Sequence, residues 1–231
     1  VSCSKSKSII MHVKSLWHCQ VKPLNPLLAY IYIPAIVALL ALTLASQLAG
    51  IPISYFTRDP SAIMGVPFYI GLLSNLGILL WCSSAAICLF SFIVFRGVVK
   101  NTKFASFFLF SGVLTIILLF DDFFLIHESV FPDYLNISEK LFYAGYVPTL
   151  LTYLVTFRKI ILKTEFLLLL LALSFFGLSI FIDLFQQAFH LLKPNLADLI
   201  EDGSKLLGII SWCTYLVRVC IKQVKSKVLF Q

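Results

Sequence analysis

The chain has 231 residues, 60% of them hydrophobic and 13% charged, with a net charge of +7 and a mean hydropathy of +0.96. Soluble domains carry about 25% charged residues, so this balance excludes an ordinary soluble domain. The apolar runs are continuous rather than alternating, and lipid gives the backbone nothing to bond to. The expected fold is therefore all-α, a polytopic membrane bundle of six transmembrane helices, rather than a barrel.

In chain order, residues 1–23 carry Lys5, Lys7, Lys14 and Lys22, with Ile9, Ile10, Val13, Leu16 and Trp17 at helical spacing. This pattern predicts a basic amphipathic tail on a membrane surface. A membrane domain over 24–221 follows. Asn25-Pro26 reads as a cap and first-turn proline, opening a span from about Leu27 to Ala49 that contains Pro34. A loop with Arg58, Asp59 and Pro60 precedes a second span from about Phe68 to Phe95. The third runs from about Phe104 to before Pro132, the fourth from Glu139 to Phe157, the fifth from Phe166 to Leu191 and the sixth from Leu199 to Val219. Residues 222–231 form a basic tail whose end, Val228-Leu229-Phe230-Gln231, resembles the remnant of a viral 3C-protease site and is set aside. Asn136-Ile137-Ser138 fits the glycosylation triplet in a loop.

Fourteen of the eighteen Lys and Arg residues fall on the side that holds both termini, which predicts cytoplasmic termini. These basic residues flank spans, where an anionic inner leaflet attracts them, so the positive charge implies a lipid bilayer partner and no nucleic acid. Ten of the eleven acids sit at the other ends of the spans or in the loops there. Acids contribute little to topology, so their concentration asks for a separate cause. The six cysteines show neither a loop framework nor a CxxC spacing, which argues against disulfides and a thiolate metal site.

The polar groups inside the spans point to a site, since an ionisable side chain at mid-membrane costs roughly 2.5–3.5 kcal/mol on insertion scales. On a continuous helix Asp121 and Glu128 share a face, while Asp122 aligns with Thr115 and Ser129 and His127 points about 100° from Glu128. Ser179, Asp183, Gln186, Gln187 and His190 make a polar stripe on the fifth span. Glu201, Lys205 and Gly208 share a face on the sixth, with Asp202 beside them.

Helical rise places Asp121, Asp183 and Lys205 roughly 6–9 Å from the bilayer centre. There Lys205 is expected to compensate the two carboxylates, unless it pairs with Glu201 along its own helix. Glu128, His190 and Glu201, with His127 as a further member, form a shallower donor set suited to a divalent metal such as zinc, manganese or calcium. Asp122, Gln186, Gln187 and Asp202 are expected to line the same space.

The pattern favours a metal-dependent membrane enzyme, hydrolase-like, in which Asp121, Asp183 and Lys205 act on a lipid or lipid-linked substrate from the outer side. A cation or proton channel or transporter using the same acids is the second reading. A structural or assembly protein is the third. Oligomeric state is not readable from the sequence.

Overall fold

The computed structural model describes residues 28–30, 32–97, 101–189 and 193–228. The tail expected over 1–23, the helix start at Asn25-Pro26, His190 and the last three residues lie outside them. Among the described residues there are helices and no strands. Among the described residues five helices are long and apolar enough to cross a membrane: α1 (Leu28–Ala49), α4 (Leu72–Gly97), α5 (Thr102–Phe124), α7 (Phe166–Phe189) and α8 (Pro194–Val228). The expected fourth span is also one helix, α6 (Glu139–Ile161), but its Tyr146, Pro148 and terminal Arg158-Lys159 make it less apolar, and it is not one of the five.

The chain divides into two compact units, residues 1–70 and 71–231. In the first, α1 carries Pro34 within it, and the expected loop after it folds into two short helices, α2 (Ser54–Thr57) and α3 (Pro60–Met64). Asp59 accepts from the backbone N–H groups of Ser61 and Ala62, and Pro60 takes the first helical position, where its missing N–H costs nothing. Gly65 ends α3 at φ +65, a left-handed conformation open to glycine.

In the second unit α4 packs along both α5 and α8, and α8 packs along α7. Asn101 caps α5 by accepting from Phe104 N–H. The core is aromatic and tightly closed, with Phe95, Phe107, Phe108, Trp212 and Tyr215 essentially inaccessible. Close approach relies on Gly112, where an added Cβ would stand 3.2 Å from Cys88 Cβ on α4. Ser84, Ser91, Ser111 and Thr115 each donate to the carbonyl four residues back on their own helix, so their hydroxyls are satisfied without water. α8 starts at Pro194, five residues before the predicted span, and runs on through Val228, so the expected basic tail is helical as far as it is described. At one end of this unit α4 and α8 begin and α5 and α7 finish, and the polar side chains gather there.

Candidate functional site: an acidic cavity with an apolar body

The third predicted span is not one helix. α5 stops at Phe124, Leu125 takes φ +50, and a π-helix, Ile126–Tyr134, carries Pro132 inside it. The left-handed residue sits awkwardly for leucine, at roughly 1–2 kcal/mol. Its N–H nevertheless closes α5 on the carbonyl of Asp121. The turn reverses the expected geometry. The face shared by Asp121 and Glu128 required a continuous helix, and Leu125 interrupts it. Instead His127 folds back onto Asp121: its backbone N–H donates to Oδ1 at 3.0 Å and its Nδ1 lies 2.9 Å from Oδ2. Tyr146 of α6 donates its hydroxyl to the same Oδ2 at 3.1 Å. An ionised carboxylate only accepts, so Asp121 holds the hydrogen of His127 on Nδ1 and leaves Nε2 turned to Glu128 Oε1, 3.5 Å away.

Asp122, one residue on, stands about 100° further round α5. Lys205 Nζ is 2.7 Å from Asp122 Oδ1, and the Trp81 indole N–H donates to Oδ2 at 2.7 Å. Lys205 therefore compensates Asp122, rather than Asp121 and Asp183 as expected, and it does not make the intrahelical pair with Glu201. The physical reason is packing: Trp81 on α4 and Asp122 on α5 stand beside the start of α8, so the lysine reaches across helices. This pair joins α8 to α5, and the indole joins α4 to both.

These groups open on one cavity of about 580 Å³, inside the range of roughly 300–1,000 Å³ found for small-molecule sites. Its polar end carries Asp121, Asp122, His127, Glu128, Asp183, Glu201, Asp202 and Lys205. Its body is apolar, with Leu114, Leu118, Leu150, Leu173, Phe176 and Trp212 among its walls. Trp81 and Phe176 stack at 5.7 Å between centroids, 18° from parallel. Gly208 sits directly against Phe176, where an added Cβ would come within 2.6 Å of the ring. Gly208 thus serves helix packing rather than the polar face it shares by spacing.

Of the residues expected to line a common space, Gln186 is half-buried on α7 and does not line this cavity. The side chain of Gln187 and all of His190 lie outside the described residues. No three His, Cys, Asp or Glu side chains among the described residues stand close enough to hold a metal ion. Trp81, Tyr146 and Trp212 were not anticipated in the site. Their signal was present, because a tryptophan or tyrosine inside a span needs a partner for its N–H or O–H. Trp212 finds its partner in Thr115 Oγ1 at 3.0 Å.

Fold and cavity together define a class: an all-helical protein, consistent with an integral membrane protein, whose ionisable side chains gather at one end of an apolar chamber. The chain belongs to a family described as a domain of unknown function, DUF8692, which matches residues 32–219. No curated protein and no solved structure matches the chain.

Proposed function

We propose that the protein is a membrane enzyme, hydrolase-like, that works by acid–base chemistry at the polar end of this cavity on a lipid or lipid-linked substrate. The observation that carries the reading is the buried Asp121–His127 pair at the polar end of a chamber whose body is apolar. Asp121 is the positioning residue: it fixes the imidazole ring and the tautomer. His127 Nε2 is the general base, taking a proton from an attacking water, and Lys205 supplies positive potential where an oxyanion develops. The apolar walls take the hydrocarbon part of the substrate and keep bulk water from the reacting bond.

In the metal-dependent form of this reading, Glu128, His127, Glu201 and His190 would hold zinc, manganese or calcium, which would supply an activated water. A carboxylate that orients a histidine through Nδ1 also suits a histidine that binds metal through Nε2. The proposed topology counts α6 as the sixth span, with both termini cytoplasmic and the cavity on the outer side. It rests on the distribution of Lys and Arg.

The test is turnover of a panel of lipid esters, amides and phosphoesters by protein in nanodiscs, with and without added metal. His127→Gln is expected to lower kcat by about 10²–10⁴-fold while binding persists. Unchanged turnover in that variant overturns the assignment. A second reading is favoured by the excess of acid, six carboxylates against one lysine and one histidine among the described residues that line the polar end. Cation or proton flux into liposomes that is abolished by Asp183→Asn, with no turnover of any lipid, establishes transport instead. Loss of stability alone in both variants leaves a structural role for the charges.

A further inference from the structure

The cavity also indicates what kind of headgroup it accepts, an inference that rests on the amphiphile-binding reading above. Of the two basic groups among its described lining residues, Lys205 is held by Asp122 at 2.7 Å and His127 by Asp121 at 2.9 Å. Each of these basic groups is thus matched by one of the two carboxylates of α5. Glu201 and Asp202, on the first turns of α8, line the same cavity, and among the described residues no cation lies within ion-pair distance of either. Glu128 and Asp183 add two more acids to the polar end. Carboxylates gathered at the mouth of a space walled by Leu173, Phe176 and Trp212 repel one another, the half-buried Glu201 most, and a bound cation relieves that repulsion.

The apolar body is an independent observation, because a site for a bare hydrated ion has no use for a hydrophobic chamber of this size. The stacked rings of Trp81 and Phe176 lie among the same walls, and such faces attract ammonium groups. We propose that the ligand is a cationic amphiphile. A protonated amine is received by Glu201 and Asp202, and its hydrocarbon chain lies along Leu114, Leu118, Leu150 and Phe176.

Two of the three tryptophans, Trp81 and Trp212, line the cavity, so intrinsic fluorescence reports its occupancy. Protein in nanodiscs of zwitterionic lipid is titrated with dodecylamine, dodecanol and dodecanoate, and empty nanodiscs correct for partitioning. The amine is expected to bind at least about tenfold more tightly than the alcohol, equivalent to about 1.4 kcal/mol, with dodecanoate weakest. The double variant Glu201→Gln, Asp202→Asn is expected to erase the preference for amine over alcohol.

Equal binding of amine and alcohol overturns the cationic headgroup and leaves the enzyme reading standing. Saturable binding of calcium or zinc that requires Glu201, with no preference among the three amphiphiles, also overturns it. Amine selectivity without turnover of any substrate supports the headgroup and overturns the enzyme. If the double variant proves unstable, Asp202→Asn alone is titrated, and a selectivity identical to that of the parent protein counts against the proposal.

Discussion

At the cavity end, α5 and α8 are joined by a charged pair, Asp122 and Lys205. Towards the other end the same unit is joined by neutral hydroxyls: Ser111 with Tyr153 at 2.8 Å and Thr164 with Tyr215 at 3.0 Å, among Phe107, Phe108 and Phe157. Each of these serine and threonine hydroxyls donates to a carbonyl of its own helix or turn, so the tyrosine hydroxyls are the donors that cross between helices. Neutral pairs of this kind hold helices together without leaving charge over. Among the described residues the charged end leaves Glu201 and Asp202 with no cation within ion-pair distance, and it leaves space. Holding a bundle together needs the first arrangement only, so the surplus of carboxylate around a chamber is what separates a site from a seam.

The largest expected effect comes from breaking the charged seam. Lys205→Met strands Asp122, whose side chain is only 10% exposed, with the Trp81 indole as its remaining partner. Removing one member of a buried pair costs 3–5 kcal/mol. With the lysine side chain itself 33% exposed, the low end, about 3 kcal/mol, is expected from unfolding in a fixed detergent. Lys205→Met combined with Asp122→Asn should recover most of that loss. No recovery means that the lysine acts through something other than Asp122.

Gly208→Ala comes next. The new methyl meets the Phe176 ring at 2.6 Å, and the ring is stacked on Trp81, so α7 and α8 must part or the ring must turn into the cavity. The expected cost is about 1–3 kcal/mol, together with weaker amphiphile binding. At the neutral end Tyr153→Phe should cost only about 1 kcal/mol, because Ser111 keeps its bond to the Phe107 carbonyl. Amphiphile affinity should stay at the parent level. A Tyr153→Phe variant that abolished binding or flux would break the division between the two ends and favour a path through the bundle.

The helices were legible in the sequence because continuous apolar runs bounded by Asn, Pro and basic residues leave lipid-spanning helices little competition. The acids were legible as a gathering for the same reason, since each is costly where it stands. Their partners were not. The seven-residue spacing between Asp121 and Glu128 presumed an unbroken helix, and nothing local marks Leu125 as left-handed, since the position that ends α5 is one where glycine or asparagine is usual. Once the helix breaks there, His127 turns from a marginal member into the residue bonded to Asp121. Lys205 was equally ambiguous: Glu201 lies one turn away on its own helix, and only the arrangement of α4 and α5 brings Asp122 closer. The π-helix offers a further check on this account. Leu125→Gly relieves the left-handed strain and is expected to raise stability by up to about 1 kcal/mol, with the Asp121–His127 pair retained.

The smallest effect is expected at the far end of the unit, where Glu165 and Arg218 form a surface pair, with Nη2 2.7 Å from Oε1. The hydrogen bond from Arg218 comes first among the causes that hold the Glu165 carboxyl below its usual range. A carboxylate whose pKa is depressed by folding contributes stability that is fully present above its unfolded value, near 4.3. That contribution is lost as pH falls through the lower folded value. Glu165→Gln should therefore lower Tm slightly at pH 7 and not at all once the acid is protonated, so the melting curves of parent and variant converge on acidification. High salt should narrow the gap in the same direction, since an exposed pair is screened. The Asp122–Lys205 pair lies largely away from solvent and should keep most of its effect in salt. Equal salt sensitivity at the two ends would mean that the cavity pair is wetter than its exposure implies, and that the polar end is a surface cluster rather than the head of a closed chamber.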